Sequence, residues 1–146
     1  MTVGVWIARA LALVGFADAA YLTATHYAGA PVFCGASGGC ETVLTSEYAT
    51  VGPVPVAVVG AAYYAVASLS AWTPLEAWSR RTAAFLATLI GAGFVVTAVL
   101  VWLQATVIGA WCRFCLVSAA ITTLLLFTAL YLLRVVSKEP EGAVEP

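Results

Sequence analysis

The last long apolar segment of the chain, residues 112–133, has the sequence CRFCLVSAAITTLLLFTALYLL. About 20 mostly apolar residues are needed for a helix to cross the roughly 30 Å hydrocarbon core of a bilayer, and this segment meets that requirement. It begins with Cys112 and Cys115, separated by two residues. The segment therefore predicts a membrane-spanning helix that carries two thiols at one water–lipid boundary.

Three further segments qualify as spans by the same criterion, at 7–27, 54–72 and 83–107. The composition agrees, because 63% of the 146 residues are hydrophobic and 9% are charged, whereas soluble domains have about 25% charged residues. We therefore expect an all-α fold, an integral membrane four-helix bundle with a cysteine-containing extracytoplasmic loop between helices 1 and 2. The net charge of -1 and the lack of a basic patch argue against a nucleic-acid partner.

We expect the chain to consist of two parts, a membrane domain at 1–136 and a short polar cytoplasmic tail at 137–146. A secretory signal peptide would have a basic start, a short apolar stretch and a small-residue cleavage site. Here Arg9 is the only early charge, and the apolar stretch continues to about residue 27, interrupted by Asp18. We therefore expect the first segment to be a retained helix.

Basic residues are distributed unevenly along the chain. The loop 28–53 contains neither lysine nor arginine, and Arg113 is the only basic residue expected on the same side as that loop. The positive-inside rule then predicts cytoplasmic termini, extracytoplasmic cysteines and a multi-pass location in the cell inner (plasma) membrane. The basic residues expected on the cytoplasmic side are Arg9, Arg80, Arg81, Arg134 and Lys138.

The four cysteines form two pairs that we interpret as catalytic. Cys34 and Cys40 are separated by five residues, three of them glycine, which predicts a pliant loop. Cys112 and Cys115 open a helix, whose N-terminus lowers thiol pKa values toward ~7 or below. One turn places Cys115 about 4–5 Å deeper than Cys112. A mobile outer pair and a fixed membrane-edge pair predict a two-stage relay of thiol–disulfide exchange.

Other uses of these cysteines remain open at this point. They could form structural disulfides, which would make the chain a non-catalytic membrane module. They could bind zinc as four thiolates, although the five-residue spacing is longer than usual for such sites. Haem attachment requires histidine directly after C-x-x-C, and Leu116 stands there.

Short motifs follow one another in a specific order along nearly the whole chain. They are Tyr21-Leu22-Thr23, Cys34-x5-Cys40, Ser46, Pro55 with Gly60, and Trp111-Cys112-x-x-Cys115-Leu116-x-Ser118-Ala119. In these residues and in their spacing on four spans, the chain resembles the vitamin K epoxide reductase family. The resemblance is to its bacterial, quinone-reducing branch without a fused thioredoxin-like domain.

That resemblance implies a thiol:quinone oxidoreductase that supports disulfide formation in secreted proteins. A separate thioredoxin-fold (DsbA-like) protein would attack the disulfide at Cys34, Cys40 would exchange with Cys112, and Cys115 would reduce the quinone. Animal members have a tyrosine where this chain has Ala119, and an asparagine in span 2, whereas this chain contains no asparagine. Ubiquinone or menaquinone is therefore the expected acceptor, and reduction of vitamin K or its epoxide is the alternative.

Three further residues are predicted to lie near the quinone. Asp18 is an ionisable residue inside a span, where such groups default to a functional role, and it either moves protons or bonds a neighbouring helix. Ser46 either positions the quinone or the loop cysteines, or acts as a helix cap. A short helix along the interface is predicted separately at 41–50. Trp111 either lines the quinone pocket or anchors the span at the interface.

Overall fold

The computed structural model describes residues 1–35, 39–74 and 77–138. Its four long helices are separated by shorter elements, and a 3₁₀ turn at Glu47–Ala49 and a π-helical segment at Gln104–Ile108 complete the described secondary structure. The labelled elements are α1 (Thr2–Ala28), α2 (Gly39–Leu44), β1 (Thr50–Val51), β2 (Val54–Pro55), α3 (Val56–Ala71), α4 (Arg80–Leu103) and α5 (Arg113–Lys138).

The four long helices form an antiparallel bundle. Helix α1 packs against α3 and α5, and α4 packs against α5 and α3. Large apolar side chains cover the outside of the bundle, including Val95, Val99, Leu124 and Phe127, all of which are exposed. Such a surface suits lipid rather than water. The prediction of a multi-pass, helical membrane protein with the first cysteine pair between its first two long helices is confirmed.

Helix α3 is shorter than predicted. Among the described residues, three helices are long and apolar enough to cross a bilayer, Thr2–Ala28, Arg80–Ile108 and Arg113–Lys138. Helix α3 has 16 residues, which corresponds to roughly 24 Å. Proline explains both of its ends, because Pro55 occupies the N-cap and is paired in the β1–β2 hairpin, and Pro74 follows the C-terminus.

Small residues let α1 and α3 approach each other closely. Ala8, Ala12, Gly15 and Ala19 recur at intervals of three or four residues on α1, and all four are buried. The ring of Tyr64 on α3 lies directly on Gly15, where a Cβ would overlap it. This arrangement is the small-residue packing typical of helices in membranes.

The end of the bundle opposite the cysteines is tied together by a buried arginine. The Nε–H of Arg9 donates to the carbonyl oxygen of Ala71 at 2.9 Å, and its Nη2 donates to the carbonyl oxygen of Thr73 at 3.1 Å. The guanidinium lies 4.8 Å from the ring centroid of Trp6 and 5.1 Å from that of Trp72. We call these five residues the arginine clasp, which fixes the start of α1 to the end of α3.

Two local predictions need adjustment. The helix predicted at 41–50 is instead two pieces, α2 and the 3₁₀ turn, because Ser46 between them adopts an extended backbone. Helix α5 continues through Lys138, into the segment predicted as a polar tail. The rest of that predicted tail, 139–146, lies outside the described residues.

Candidate active site

All four cysteines meet at one end of the bundle. Cys34, Cys40 and Cys112 are buried in a single cluster with Val43, and Cys115 packs against it. Cys34 and Cys40 are joined in a disulfide with a Cα–Cα distance of 6.0 Å. Cys112 and Cys115 are thiols. The two pairs that are far apart in sequence are therefore neighbours in space.

Gly39 is what allows the two pairs to come together. A Cβ built on Gly39 would lie 2.6 Å from the carbonyl oxygen of Trp111, closer than real atoms approach. The main chain just before Cys40 therefore rests on the main chain just before Cys112. The sequence interpretation of the glycines as a source of pliancy missed this contact, since Gly39 is the first residue of α2. Residues 36–38 lie outside the described part of the loop.

Cys112 caps the N-terminus of α5. Its carbonyl oxygen accepts the first helical hydrogen bond, from Leu116 N–H at 3.0 Å, and its Sγ accepts from the Cys115 N–H at 3.4 Å. The hydrogen bond from the Cys115 side chain lowers the pKa of the Cys112 thiol to about 7, although burial acts in the opposite direction. The direction agrees with the expectation from a helix N-terminus. At neutral pH a larger fraction of Cys112 is therefore deprotonated than of an ordinary cysteine, which makes Cys112 the better nucleophile.

The side chain of Gln104 accepts a hydrogen bond from the main chain of Cys112. Its Oε1 accepts a hydrogen bond from the Cys112 N–H at 2.9 Å, and the residue is 2% exposed. Gln104 is the first residue of the π-helical segment after α4. The sequence analysis missed it, although a polar residue eight positions before the C-x-x-C pair and inside an apolar span is a signal in itself.

Arg113 faces the loop that carries Cys34. A Cβ built on Gly35 would lie 3.6 Å from Arg113 Nη1, which places the guanidinium beside the backbone next to the disulfide. Gly35 itself has a φ of +69°, a conformation that favours glycine. Arg113 thus brings a positive charge to the outer side of the cysteine cluster.

A cavity of about 850 Å³ lies within the bundle directly beneath the cysteines. Cys115 lines it, together with side chains from α1, α3, α4 and the loop between α1 and α3. Most of the lining residues are apolar, and the volume falls within the range of roughly 300–1,000 Å³ that is usual for small-molecule sites. Cys115 therefore connects the thiol pair to a space that could hold an aromatic ring.

Two polar atoms that line this cavity have no hydrogen-bond partner among the described residues. They are Asp18 Oδ2 and the hydroxyl oxygen of Tyr63, and both are buried. The neighbouring Tyr64 hydroxyl differs, since Ser118 Oγ lies 2.9 Å and Thr122 Oγ1 lies 2.8 Å from it. Buried polar atoms normally have partners, so Asp18 and Tyr63 mark the place where a bound molecule would supply them.

Of the two remaining residues predicted to contact the quinone, Ser46 and Trp111, only Ser46 lines the cavity. Ser46 lines the cavity, and its hydroxyl donates to the carbonyl oxygen of Val43 at 2.7 Å rather than capping the following turn. Trp111 does not line the cavity. It is 51% exposed and borders a shallow depression beside Gly39 and Arg113. This exposure and its position outside the cavity lining favour the interfacial role for Trp111.

The zinc alternative has no geometric support in the part of the chain that the structure describes. No group of three or more histidine, cysteine, aspartate or glutamate side chains is placed there to hold a metal ion. Two of the four sulfurs that such a site would need are joined to each other in the Cys34–Cys40 disulfide.

Comparison with models of protein families gives a match. The model of the vitamin K epoxide reductase family matches residues 6–130, a range that contains all four cysteines, Asp18 and Gln104. No curated protein matches the chain.

Proposed function

The chain belongs to the vitamin K epoxide reductase family, whose members are thiol–quinone oxidoreductases, and we propose that its four cysteines carry electrons from a thioredoxin-fold protein to a membrane quinone. The observation that carries this proposal is the position of Cys115. It lines the cavity in the bundle and also lies one helical turn from Cys112, which is buried against Cys40. The cluster of four cysteines thus lies between the loop and the cavity, as the proposed relay requires.

The first step is exchange with the donor. A thiolate of the thioredoxin-fold protein attacks the sulfur of Cys34, and Cys40 leaves as a thiolate. The second thiol of the donor then attacks the mixed disulfide, so that the donor leaves oxidised and Cys34 and Cys40 are reduced. The guanidinium of Arg113, beside Gly35, would stabilise negative charge near this exchange.

The second step moves the electrons inward. The Cys40 thiolate attacks Cys112 in a Cys112–Cys115 disulfide, and Cys115 leaves as a thiolate. Cys34 then attacks Cys40, which restores the loop disulfide and releases Cys112. The observed arrangement, a Cys34–Cys40 disulfide beside two thiols at Cys112 and Cys115, corresponds to the stage that follows this step.

The third step takes place in the cavity. Cys112 and Cys115 close to a disulfide and give up two electrons and two protons, which convert quinone to quinol. Asp18 and Tyr63 offer unpartnered oxygen atoms in the same cavity. Asp18 would carry one of the thiol protons to the quinone oxygen, and Ser46 would lie at the cavity wall near the loop.

The expected acceptor is ubiquinone or menaquinone. The apolar walls and the volume of the cavity suit either ring system. Reduction of vitamin K or its epoxide by the same cysteines is the alternative activity. A non-catalytic role with structural disulfides is less well supported, because two of the four cysteines are not in a disulfide.

The orientation in the membrane belongs to the same proposal. Arg9, Arg80, Arg81, Arg134 and Lys138 belong to the helix ends opposite the cysteines. By the positive-inside rule those ends face the cytoplasm, and the cysteines face the extracytoplasmic side, where a disulfide-forming system operates.

The experiment that tests the function follows quinone reduction by ultraviolet absorbance in detergent-purified protein. A reduced thioredoxin-fold protein is the donor, and a panel of short-chain ubiquinone, menaquinone and vitamin K epoxide is supplied as acceptor. We expect turnover with at least one quinone, its loss in Cys115→Ala, and its retention in the control Thr128→Ala on the same helix. A folded wild-type protein that reduces none of these acceptors would overturn the proposal.

A further inference from the structure

We propose that Gln104 binds the quinone through its amide nitrogen while its amide oxygen holds the main chain of Cys112. This inference rests on the proposed function and adds a substrate contact that the cysteine relay does not require. One side chain would then fix both the acceptor and the thiol pair that reduces it.

The direction of the amide follows from its partner. A main-chain N–H can only donate, so the atom of Gln104 that faces Cys112 at 2.9 Å is the oxygen. The NH₂ group on the other branch of the amide carries two donors. No described residue accepts a hydrogen bond from it.

Because Gln104 lines the cavity and its amide oxygen is turned to Cys112, we infer that its amide nitrogen is open to the cavity. Gln104 is 2% exposed overall, and it lines the cavity together with Cys115 and Asp18. An amide donor that finds no partner inside a bilayer, where water is scarce, raises the free energy of the protein. A ligand that accepts hydrogen bonds would remove that cost.

A quinone carbonyl has the complementary chemistry. Its oxygen is an acceptor without a proton of its own, so it pairs with the NH₂ donors and does not compete for the Cys112 N–H. Gln104 is also the only side-chain amide in the sequence, which contains no asparagine. It opens a π-helical segment, a local irregularity that is frequent at functional sites.

The contact would also select among acceptors. A site built to hydrogen-bond a carbonyl oxygen discriminates against a ring of the same shape that lacks it. Menadione and 2-methylnaphthalene form such a pair, because they share the fused ring and the methyl group and differ in the two carbonyl oxygens.

The test measures binding of these two compounds without turnover, in the Cys115→Ala background. Adding Gln104→Met should weaken menadione binding roughly tenfold, the loss expected for one well-formed hydrogen bond. Binding of 2-methylnaphthalene should be almost unchanged, and the control Thr106→Val, on the exposed face of the same π-helical segment, should affect neither compound. Unchanged menadione affinity in Gln104→Met, or equal loss of both compounds, would overturn the inference.

A second measurement uses the protein with Gln104 in place, so that it does not depend on folding of the methionine variant. The infrared carbonyl stretch of bound menadione should shift to lower frequency than that of menadione in detergent alone. The absence of any shift would also overturn the inference. If menadione binds through Gln104 but the wild-type protein reduces no quinone, the proposed function fails while the contact stands.

Discussion

The arginine clasp and the cavity beneath the cysteines bury polar groups in different ways. At the arginine clasp, the Arg9 guanidinium donates to two carbonyl oxygens and lies between two tryptophan rings. At the cysteine end, Asp18 Oδ2 and the Tyr63 hydroxyl are buried without partners among the described residues, and the Cys115 thiol lines a cavity of about 850 Å³. Satisfied groups stabilise a fold, whereas unsatisfied groups are ready to bind or react. The comparison assigns stability to one end and chemistry to the other.

The largest expected effect is at the centre of the cysteine end. Replacing Cys112 with alanine removes the sulfur that connects the loop pair to Cys115, so quinone reduction driven by the donor should fall to background. Cys40→Ala should have the same effect. The measurement is the initial rate of quinone reduction, and wild-type rates in either variant would show that electrons take another route.

Asp18→Asn should give the next largest loss. The substitution keeps the size of the side chain but removes its ability to carry a proton, and positioned acids and bases contribute about 10²–10⁴-fold to rates. We expect quinone reduction to slow by roughly 100-fold. Exchange of the loop disulfide with the donor, measured by quenched-flow alkylation, should be unchanged. If both rates fall together, Asp18 serves the fold rather than proton transfer.

Gly39→Ala should impair the contact between the two cysteine pairs. A Cβ at this position meets the Trp111 carbonyl oxygen, so α2 must move away and Cys40 with it. We expect disulfide exchange between Cys40 and Cys112 to slow by about tenfold, because reacting groups that are misplaced by up to about 1 Å react more slowly. The matched control is Gly91→Ala, where a Cβ meets no atom within 4 Å. Equal rates in the two variants would contradict the proposed close approach.

The reactivity of Cys112 should depend on pH with a midpoint near neutrality. Its pKa of about 7 means that the thiol is protonated and slow to react below pH 7, and that the reactive thiolate dominates above it. The rate of iodoacetamide labelling at Cys112 should therefore rise through a midpoint of about 7. Because the side chain of Cys115 is the first cause of the lowered pKa, the midpoint should move upward in Cys115→Ala.

The smallest expected effect on turnover is at the arginine clasp. Arg9→Met removes two hydrogen bonds from a charged donor, which should lower the free energy of unfolding in detergent by about 3–6 kcal/mol. Donor-driven quinone reduction should remain close to wild type below the unfolding transition. Arg81→Met, at an exposed position, is the control for loss of charge. A large loss of quinone reduction in folded Arg9→Met protein would contradict the assignment of the arginine clasp to stability alone.

Local sequence signals predicted the helices and the pairing of the cysteines into two groups. The length of apolar segments determines where α1, α4 and α5 run, and Pro55 and Pro74 could have predicted the short α3 as well. The role of Gly39 could not be predicted in this way, because it depends on a contact with the distant residue Trp111. Gln104 could have been noticed as a polar residue inside an apolar span, but its hydrogen bond to the Cys112 N–H could not be predicted. The sequence left two roles open for Trp111, lining the cavity or anchoring the helix at the interface, and its 51% exposure and absence from the cavity lining favour the second.

The most direct test of the relay is to trap the disulfide that joins the two pairs. In the double variant Cys34→Ser/Cys115→Ser, only Cys40 and Cys112 keep their sulfur atoms, and both are buried in one cluster. Mild oxidation followed by proteolysis and mass spectrometry should find the Cys40–Cys112 disulfide within each molecule. Failure of these two cysteines to pair in the folded protein, or pairing only between molecules, would contradict the relay.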